Sequence, residues 1–554
     1  MKFLYALCAL CWLTLPAFAL DREAFTFTKY DLNVRVEPEQ QRLGVRGKIT
    51  VRNDSAKPQS NLALQISVTL DWRSIRIAGK AAHFVTQEYN SDIDHTGALS
   101  EAIVDLPQPV PPNGTIELEV GYEGVIPLDT SRLTRIGVPQ DKARHTDWDQ
   151  ISKSFTAVRG IGYVTWYPVA TEDASLSEGN SVAETIGRWQ AKEAEAEMSV
   201  SLESTSAMPM FSGTAEHSSA KAGSFRMPDP GLDVPTLVIA DYQKLAAKGE
   251  HSISIFYPQG QEDRAETYAE VASQAGPVIP KREAALNIIA VPDPDAQPFV
   301  TEGMLLTPLN SPISNEAELS VVYAEARQVV RSPRAWIQDG FAHFAQAEFI
   351  ETQRGRQAAL DYLTAHSTGL VQAERQVKNT DRDSARSLIN APDDVFLQTK
   401  AMHVWWMLKD LLGSGTSEAL VNYHAAEDKD PGYLPELITK QSPRDLHWFF
   451  DDWVYHDRGL PDFQVASVFS TPVETGGFLV TVTVENLGDA GAEVPIILRY
   501  SGGEIRKRLE VRAKSKTSIR LETAGAPQGV TVNDGSVPES DTSNNVYRIE
   551  SANH

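Results

Sequence analysis

Cysteine is nearly absent from this sequence of 554 residues, whose only two cysteines are Cys8 and Cys11. Both lie in an N-terminal stretch that has a basic residue, a short apolar run and an Ala-x-Ala site ending at Ala19, which is typical of a secretory signal. A mature chain without cysteine can form neither disulfides nor thiolate metal sites. We therefore expect residues 1–19 to be a signal peptide and the mature protein to be exported, to a bacterial periplasm or the extracellular space.

Long apolar runs and one-sided charge clusters are also missing. No segment after the predicted signal approaches the roughly 20 apolar residues of a membrane-spanning helix, so we expect no membrane span in the mature chain. The formal net charge of −23 is spread without long acidic runs, which argues against nucleic acid or an anionic membrane as a partner. The sequence has no G-x-S-x-G, no phosphate-binding glycine loop and no dinucleotide fingerprint, so serine-hydrolase and nucleotide-binding functions find no support.

The periodicity of apolar residues divides the remaining chain into three regions. Apolar and polar residues alternate at period two over residues 20–250, which predicts a β domain. Helical spacing predominates in the second half of 251–462, after a buried strand near "AALNIIAV". Alternation returns over 463–554 with the spacing of a small β-sandwich. The sequence therefore predicts a multidomain α+β chain with three domains at these boundaries.

Four strings in the middle region are "TEGMLLTP", "AWIQDGFAHF", "TKAMHVWWML" and "WFFDDWVYHDRGLPDF". They resemble strings of zinc aminopeptidases of the thermolysin-like (gluzincin) clan, the membrane alanine aminopeptidase-like family. "TEGMLLTP" is similar to the substrate loop G-x-M-E-N, and "AWIQDGFAHF" is similar to W-L-N-E-G-F-A-x-Y. "TKAMHVWWML" resembles the helix after the family's transition-state tyrosine, and "WFFDDWVYHDRGLPDF" resembles its closing F-F-x-x-W-V-x-x-x-G-x-P. The resemblance implies a saddle-like N-terminal β-sheet domain, a thermolysin-like mixed and α-helical peptidase domain, and a C-terminal β-sandwich.

The metal-binding motif of that family is missing. H-E-x-x-H places two histidines at i and i+4 on one helix face, where both reach a zinc ion and the Glu between them acts as general base. The resemblance aligns this motif with "VVYAEARQVV" in either of two registers. One register puts Ala324 and Gln328 at the histidine positions and Glu325 at the base. The other puts Tyr323 and Arg327 at the histidine positions and Ala324 at the base.

Two further functional positions implied by the resemblance are changed. Gly303 and Met304 match the start of the substrate loop, but Leu305 stands at the Glu that holds a substrate's free amino terminus. The tyrosine that stabilises the oxyanion is replaced by Leu397 or Gln398. A fold whose structural aromatics remain while its functional positions change is the pattern expected of lost catalysis.

The third zinc-ligand position leaves an alternative open. Asp339 stands where the family has Glu, and His343 follows it at i+4, which is acceptable ligand spacing. An active metallopeptidase with a rearranged site of Asp339, His343 and Glu325 would bind zinc. Arg327 could instead bind a ligand's carboxylate or pair with Asp339 and fill the former metal pocket, and this ion pair is our expectation.

We therefore expect an exported pseudopeptidase that holds no metal and binds peptides or a protein partner. A third hypothesis is an envelope scaffold whose C-terminal sandwich mediates adhesion. We also expect Trp405 and Trp406 to lie in the core and Asp451 and Asp452 to face solvent. Glu325 is the candidate base in one register, and the candidate substrate-pocket residues are Gly303, Met304, Arg327, Gln328, Asp339 and His343.

Overall fold

The computed structural model describes residues 20–91, 97–170, 192, 196–228, 230, 233–281, 283–376, 387–389, 397–413, 415–456, 458–474 and 476–549. The predicted signal, residues 1–19, lies outside the described residues. The chain divides into two compact units, Met1–Asp241 and Tyr242–His554. It is multidomain, with several β-sheets and a group of helices, as the sequence predicts.

The first unit is almost entirely β. Its strands are β1 (Phe25–Glu37), β2 (Arg42–Asn53), β3 (Gln59–Ser67), β4 (Leu70–Ile77), β5 (Lys80–Ala81), β6 (Phe84–Ser91), β7 (Gly97–Val110), β8 (Thr115–Val125), β9 (Thr156–Val158), β10 (Glu197–Ser204), β11 (Pro209–Phe211), β12 (Thr214–Ser218), β13 (Ala222–Pro228) and β14 (Leu237–Ile239), with short helices α1 (Ser131–Arg135) and α2 (Gln140–Thr146). An eight-stranded sheet has the order β12-β13-β10-β1-β2-β8-β4-β5, and two three-stranded sheets have the orders β3-β7-β6 and β11-β14-β9. Because side chains alternate across a strand, Leu32, Val34 and Val36 of β1 all lie in the core.

The second unit begins with a five-stranded sheet. Its strands are β15 (Gln243–Ala246), β16 (Ser252–Tyr257), β17 (Ala285–Ala290), β18 (Phe299–Thr301) and β19 (Met304–Thr307), in the spatial order β15-β16-β17-β19-β18. The sequence pattern places the first domain boundary after residue 250, whereas the compact units divide after Asp241. The reason is that β15 pairs antiparallel with β16, so that it belongs to the second unit.

A group of helices follows the five-stranded sheet. Helix α3 (Glu262–Ala275) precedes β17, and the others are α4 (Asn315–Val329), α5 (Ala335–Arg354), α6 (Arg356–Gln376), α7 (Met402–Leu412), α8 (Gly415–Val421), α9 (Tyr433–Lys440) and α10 (His447–Phe450). Ser314 caps α4 by accepting a hydrogen bond from the Ala317 N–H at 3.2 Å. A Cβ at Gly340 would lie 2.6 Å from the Cβ of Ala401, so only glycine allows α5 to pack this closely. Trp405 and Trp406 are fully buried, which confirms the prediction for both.

The C-terminal strands form a sandwich of two sheets. The strands are β20 (Phe463–Pro472), β21 (Phe478–Asn486), β22 (Ala492–Tyr500), β23 (Gly503–Val511), β24 (Lys516–Thr523), β25 (Pro527–Val532) and β26 (Val546–Arg548), in sheets β20-β21-β24 and β23-β22-β25-β26. One continuous core of buried apolar residues extends from the helices into the sandwich. The indole N–H of Trp453 donates to the Gly491 carbonyl at 2.7 Å.

One prediction about the end of the helical region is wrong. Asp452 does not face solvent fully: it is half-buried and accepts a hydrogen bond from the Gly491 N–H at 2.9 Å. Burial raises the pKa of its carboxyl group. Its neighbour Asp451 does lie toward solvent, where it pairs with Arg458 at 3.2 Å.

Candidate functional site

The candidate site lies where α4 packs against α5. Tyr323 and Arg327 are one turn apart on the same face of α4, as residues at i and i+4 must be. Both donate to the same oxygen, Oδ1 of Asp339 on α5: the Tyr323 hydroxyl at 2.8 Å and the Arg327 Nε at 2.8 Å. The sequence left two registers open for the histidine positions. In the register that assigns them to Tyr323 and Arg327, both side chains point at Asp339, the residue at the third-ligand position.

The ion pair expected between Arg327 and Asp339 is present. The Arg327 side chain is 11 % exposed and the Asp339 side chain is 26 % exposed, so the pair is shielded from much of the solvent. A charge-assisted hydrogen bond of this length in such surroundings is stronger than a bond between neutral groups. The carboxylate oxygen of Asp339 thus accepts two donors, one of them a permanent cation.

His343 lies one turn after Asp339 and is held in a fixed orientation. Its ring packs 4.7 Å from the Tyr323 ring, centroid to centroid, and its Nδ1 lies 3.0 Å from Oε1 of Gln346. The Gln346 amide is oriented by donating from Nε2 to the Leu319 carbonyl at 2.8 Å, so its Oε1 must accept. His343 therefore donates from Nδ1 and keeps its lone pair on Nε2. Burial lowers the pKa of His343, which favours this neutral form.

Glu325 points away from this cluster. Its Oε1 lies 2.6 Å from Nδ1 of His251, and the His251 Nε2 lies 3.4 Å from the Pro280 carbonyl oxygen. The structure thus brings Asp339 and His343 together with Arg327 and places Glu325 with His251 instead. Sequence reasoning missed His251, because a single histidine just before a strand carries no motif.

Gln328 contacts the hairpin between β18 and β19. Its Oε1 accepts the Gly303 N–H at 2.7 Å, and its Nε2 donates to the Thr301 carbonyl at 3.1 Å. Gly303 has a φ of 68°, a left-handed conformation that suits glycine at the tip of a two-residue turn. The Gln328 side chain therefore holds the backbone of the hairpin tip on α4.

The other candidate residues lie in the hairpin strand β19 and at the position of the oxyanion-stabilising tyrosine. Met304 and Leu305 are fully buried in β19, so their side chains belong to the core. Gln398 is exposed, and the side chain of Leu397 lies outside the described residues. A pair that the sequence did not suggest, Arg331 with Glu302, connects the segment just after α4 to the hairpin tip.

The side chains that face Asp339 do not fit a zinc ion. Zinc in proteins is bound by Cys, His, Asp or Glu, and a catalytic site needs three such ligands. Arginine has no lone pair to offer and stays protonated, and here Arg327 donates to the Asp339 oxygen that a metal would need. Asp339 and His343 are two candidate ligands on this face, and the oxygen of Asp339 nearest to Arg327 already accepts two hydrogen bonds.

Comparisons with known proteins add one structural likeness. No family model matches the sequence, and no curated protein matches it. Among solved structures, the chain is similar to the crystal structure of an M1 zinc metallopeptidase from Deinococcus radiodurans, with 15% sequence identity and a TM-score of 0.49. The match covers 79% of this chain and 95% of that chain. Across the described part of the chain, every helix is too short or too polar to cross a membrane.

Proposed function

We propose that the chain is an exported pseudopeptidase, a metallopeptidase-like protein that binds a peptide or protein partner without metal-dependent hydrolysis. The observation that carries the proposal is the convergence of Tyr323 and Arg327 on Oδ1 of Asp339. In an active site of this kind, the same three positions would hold a zinc ion. Here they hold an ion pair and a phenol.

The ion pair disfavours a metal for an electrostatic reason. A guanidinium group is protonated at every physiological pH, so a divalent cation bound to Asp339 would face a positive charge at hydrogen-bonding distance. The metal would also have to displace Arg327 from its carboxylate and leave the cation without that partner in a shielded position. We therefore expect Asp339 to hold Arg327 in preference to zinc.

The same cluster supports binding of a peptide. Polar groups that converge in one place, and that include a partly exposed carboxylate, can bind the charged or hydrogen-bonding groups of a ligand. Asp339 retains a quarter of its side-chain surface in contact with solvent, and its second oxygen is suited to accept an ammonium or amide N–H. A ligand's amino group is therefore the chemistry that this carboxylate fits best.

The alternative of an active enzyme with a rearranged site has less support. It needs Glu325 beside Asp339 and His343, and the 2.6 Å contact between Glu325 and His251 argues against that arrangement. Zinc remains the cofactor expected under this alternative.

Zinc content of the purified full chain tests the proposal. The protein is incubated with zinc, desalted and analysed by mass spectrometry for metal, and we expect zinc far below one ion per chain. About one tightly held zinc per chain would overturn the proposal.

Rebuilt motifs provide matched controls. A variant with Tyr323→His, Ala324→Glu, Arg327→His and Asp339→Glu restores three ligands in the register whose side chains face α5, and we expect it to hold zinc. A variant with Ala324→His, Gln328→His and Asp339→Glu uses the other register, and we expect it to hold none. Zinc bound equally by both variants would argue against the register we assign.

Peptide binding is tested separately. Fluorescence anisotropy with short labelled peptides compares free and acetylated amino termini, and we expect the free terminus to bind more tightly. Asp339→Asn should weaken this binding about tenfold, or about 1.4 kcal/mol, while Asp451→Asn, remote in the sequence and directed to solvent, should leave it unchanged. Absence of any terminus-dependent binding would remove the peptide-binding part of the proposal.

Export is tested by the N-terminus of the protein recovered from the cell envelope or medium of a bacterial host. We expect the chain to begin at Leu20, because the Ala-x-Ala site ends at Ala19. A recovered chain that still begins at Met1 would contradict export through this signal.

A further inference from the structure

His343 on α5 uses one of its ring nitrogens and leaves the other unused. Its Nδ1 donates to Oε1 of Gln346 at 3.0 Å, and the Tyr362 hydroxyl donates to the same oxygen at 3.0 Å. The Gln346 amide cannot turn over, because its Nε2 already donates to the Leu319 carbonyl. The lone pair of the neutral imidazole is therefore on Nε2, and no group in the described part of the chain donates to that nitrogen.

Asp339 lies one helical turn before His343 and also has an unused acceptor. Tyr323 and Arg327 both donate to its Oδ1, whereas no residue that the structure describes donates to its Oδ2. Side chains of a helix lean toward its N-terminus, so His343 reaches back over the turn that carries Asp339. Tyr323 contacts both residues, because its hydroxyl binds Asp339 and its ring packs on the imidazole. The two unused acceptors therefore belong to neighbouring side chains on one face of α5.

Hydrogen bonds, more than net charge, determine what these two acceptors can bind. Both residues are partly accessible, since the Asp339 side chain is 26 % exposed and His343 is half-buried. Arg327 already offsets the charge of the Asp339 carboxylate, so charge alone attracts a cation only weakly. A ligand therefore gains most of its affinity here from N–H groups that are directed at Oδ2 and Nε2.

A primary ammonium group fits two neighbouring acceptors. It carries three N–H donors in tetrahedral directions, so it can donate to a carboxylate oxygen and an imidazole nitrogen at the same time. A guanidinium group fits less well, because its planar fork matches both oxygens of a carboxylate, and Oδ1 of Asp339 already accepts two donors. A peptide amide offers a single N–H and no charge.

We propose that Oδ2 of Asp339 and Nε2 of His343 together bind the ammonium group of a peptide whose amino terminus is unmodified. This selectivity rests on the proposed function, and it adds His343 to the residues that contact the ligand. If Nε2 of His343 met only solvent, Asp339 alone would bind the terminus. Asp339 alone needs a positive charge and one N–H, whereas the two residues together need a positive charge and two N–H donors.

Methylation of the ligand's amino terminus separates these two arrangements. Fluorescence anisotropy with the full chain compares one lysine-free peptide, labelled at its C-terminus, with a free, monomethylated, dimethylated or acetylated amino terminus. Methylation keeps the charge but leaves two N–H donors or one, and acetylation removes the charge. We expect the free and monomethylated termini to bind alike and the dimethylated terminus to bind about tenfold more weakly, because it lacks one hydrogen bond.

His343→Phe tests the imidazole itself. The variant loses the acceptor but keeps a ring against Tyr323, and Tyr362 still donates to Gln346. It should bind the free terminus about tenfold more weakly and no longer distinguish it from the dimethylated terminus. His424→Phe makes the same substitution at an exposed histidine of the same compact unit, and it should leave all four affinities unchanged.

The outcomes separate this inference from the proposed function. If the wild-type chain binds free and dimethylated termini alike but the acetylated one more weakly, the role of His343 is overturned and the proposed peptide binding stands. The same holds if His343→Phe still prefers the free terminus to the dimethylated one. Equal binding of free and acetylated termini would remove the proposed peptide binding and the role of His343 with it.

Discussion

Nδ1 of His251 and Oε1 of Glu325 lie 2.6 Å apart, and the two side chains are 1 % and 2 % exposed. His251 immediately precedes β16, while Glu325 lies on α4, so this hydrogen bond connects the five-stranded sheet to the helices. The hydrogen bond to Glu325 raises the pKa of His251, and burial raises the pKa of Glu325. Both shifts mean that the folded pair binds its protons more tightly than the unfolded chain does.

The pH dependence of stability follows from these raised pKa values. Stability from a group whose folded pKa is raised is fully present below its unfolded pKa and is lost as pH rises through its folded pKa. For His251 the loss begins at about pH 6.5, the pKa of a free imidazole. We predict that the free energy of unfolding falls as pH rises above this value, measured by urea denaturation at several pH values.

His251→Asn should remove this part of the pH dependence, because the amide can donate to Glu325 but does not titrate. His424→Asn is the matched control, because His424 is exposed, and it should keep the slope of the wild-type protein. Equal slopes in the wild-type protein and His251→Asn would show that the buried pair does not cause the effect.

A double-mutant cycle should detect the pair of Arg327 and Asp339 as a coupled unit. Arg327→Met and Asp339→Asn should each destabilise the protein, and the double variant should lose less than the sum of the two. We expect a coupling free energy of about 1–2 kcal/mol, above that of exposed pairs because the cluster is partly shielded. Denaturant unfolding measures all four corners of the cycle.

The exposed pair of Lys514 and Asp489, 3.2 Å apart in the same compact unit, is the control for that cycle. Its coupling should be no more than about 0.5 kcal/mol, because solvent and salt screen it. A coupling between Arg327 and Asp339 as small as this would mean that the ion pair contributes little to the packing of α4 against α5.

Two glycines inside helices should respond to alanine in opposite directions. A Cβ at Gly340 would lie 2.6 Å from the Cβ of Ala401 and 3.4 Å from the indole nitrogen of Trp405, so Gly340→Ala should destabilise the protein by about 1–3 kcal/mol. Gly369 on α6 has open space around the same position, so Gly369→Ala should stabilise by about 0.5–1 kcal/mol. Thermal unfolding compares the two, and a stabilised Gly340→Ala would contradict the close packing of α5.

Gln328→Ala should release the hairpin tip from α4. The change removes the acceptor of the Gly303 N–H and the donor to the Thr301 carbonyl, and each lost hydrogen bond is worth about 1 kcal/mol. Hydrogen exchange at the Gly303 amide should therefore accelerate roughly tenfold or more. Gln274→Ala, on the exposed side of α3, is the control. An unchanged exchange rate at Gly303 would show that the hairpin turn is stable without the hydrogen bonds of Gln328.

Local patterns in the sequence are sufficient to predict the helices and strands and one ion pair of the candidate site. The spacing of apolar residues predicts a helix over "WIQDGFAHFAQAEFIETQ", and the structure has α5 at Ala335–Arg354. The i, i+4 positions of Tyr323 and Arg327, with Asp339 on the following helix, allowed the ion pair to be expected. Both predictions depend only on helix geometry over a short stretch of chain, and the spacing of residues in the sequence indicates that geometry.

Contacts between distant segments could not be predicted in the same way. His251 and Glu325 are 74 positions apart, and either side chain alone is compatible with an exposed position. From the sequence we expect Asp452 in solvent, but the backbone N–H of Gly491, in the loop that leads into β22, donates to it. Such pairs depend on how whole elements pack, and a single sequence contains no local signal for them.

The end of the helical region and the sandwich share one core of buried apolar residues, which bears on whether they unfold together. Trp453 is fully buried, and its indole hydrogen bonds to the backbone of the loop that leads into β22. Removal of the strands after Leu460 would leave that indole N–H and the apolar residues around it in water. The helices and the sandwich should therefore melt in one calorimetric transition, so a fragment that ends between them would be a poor substitute for the intact chain.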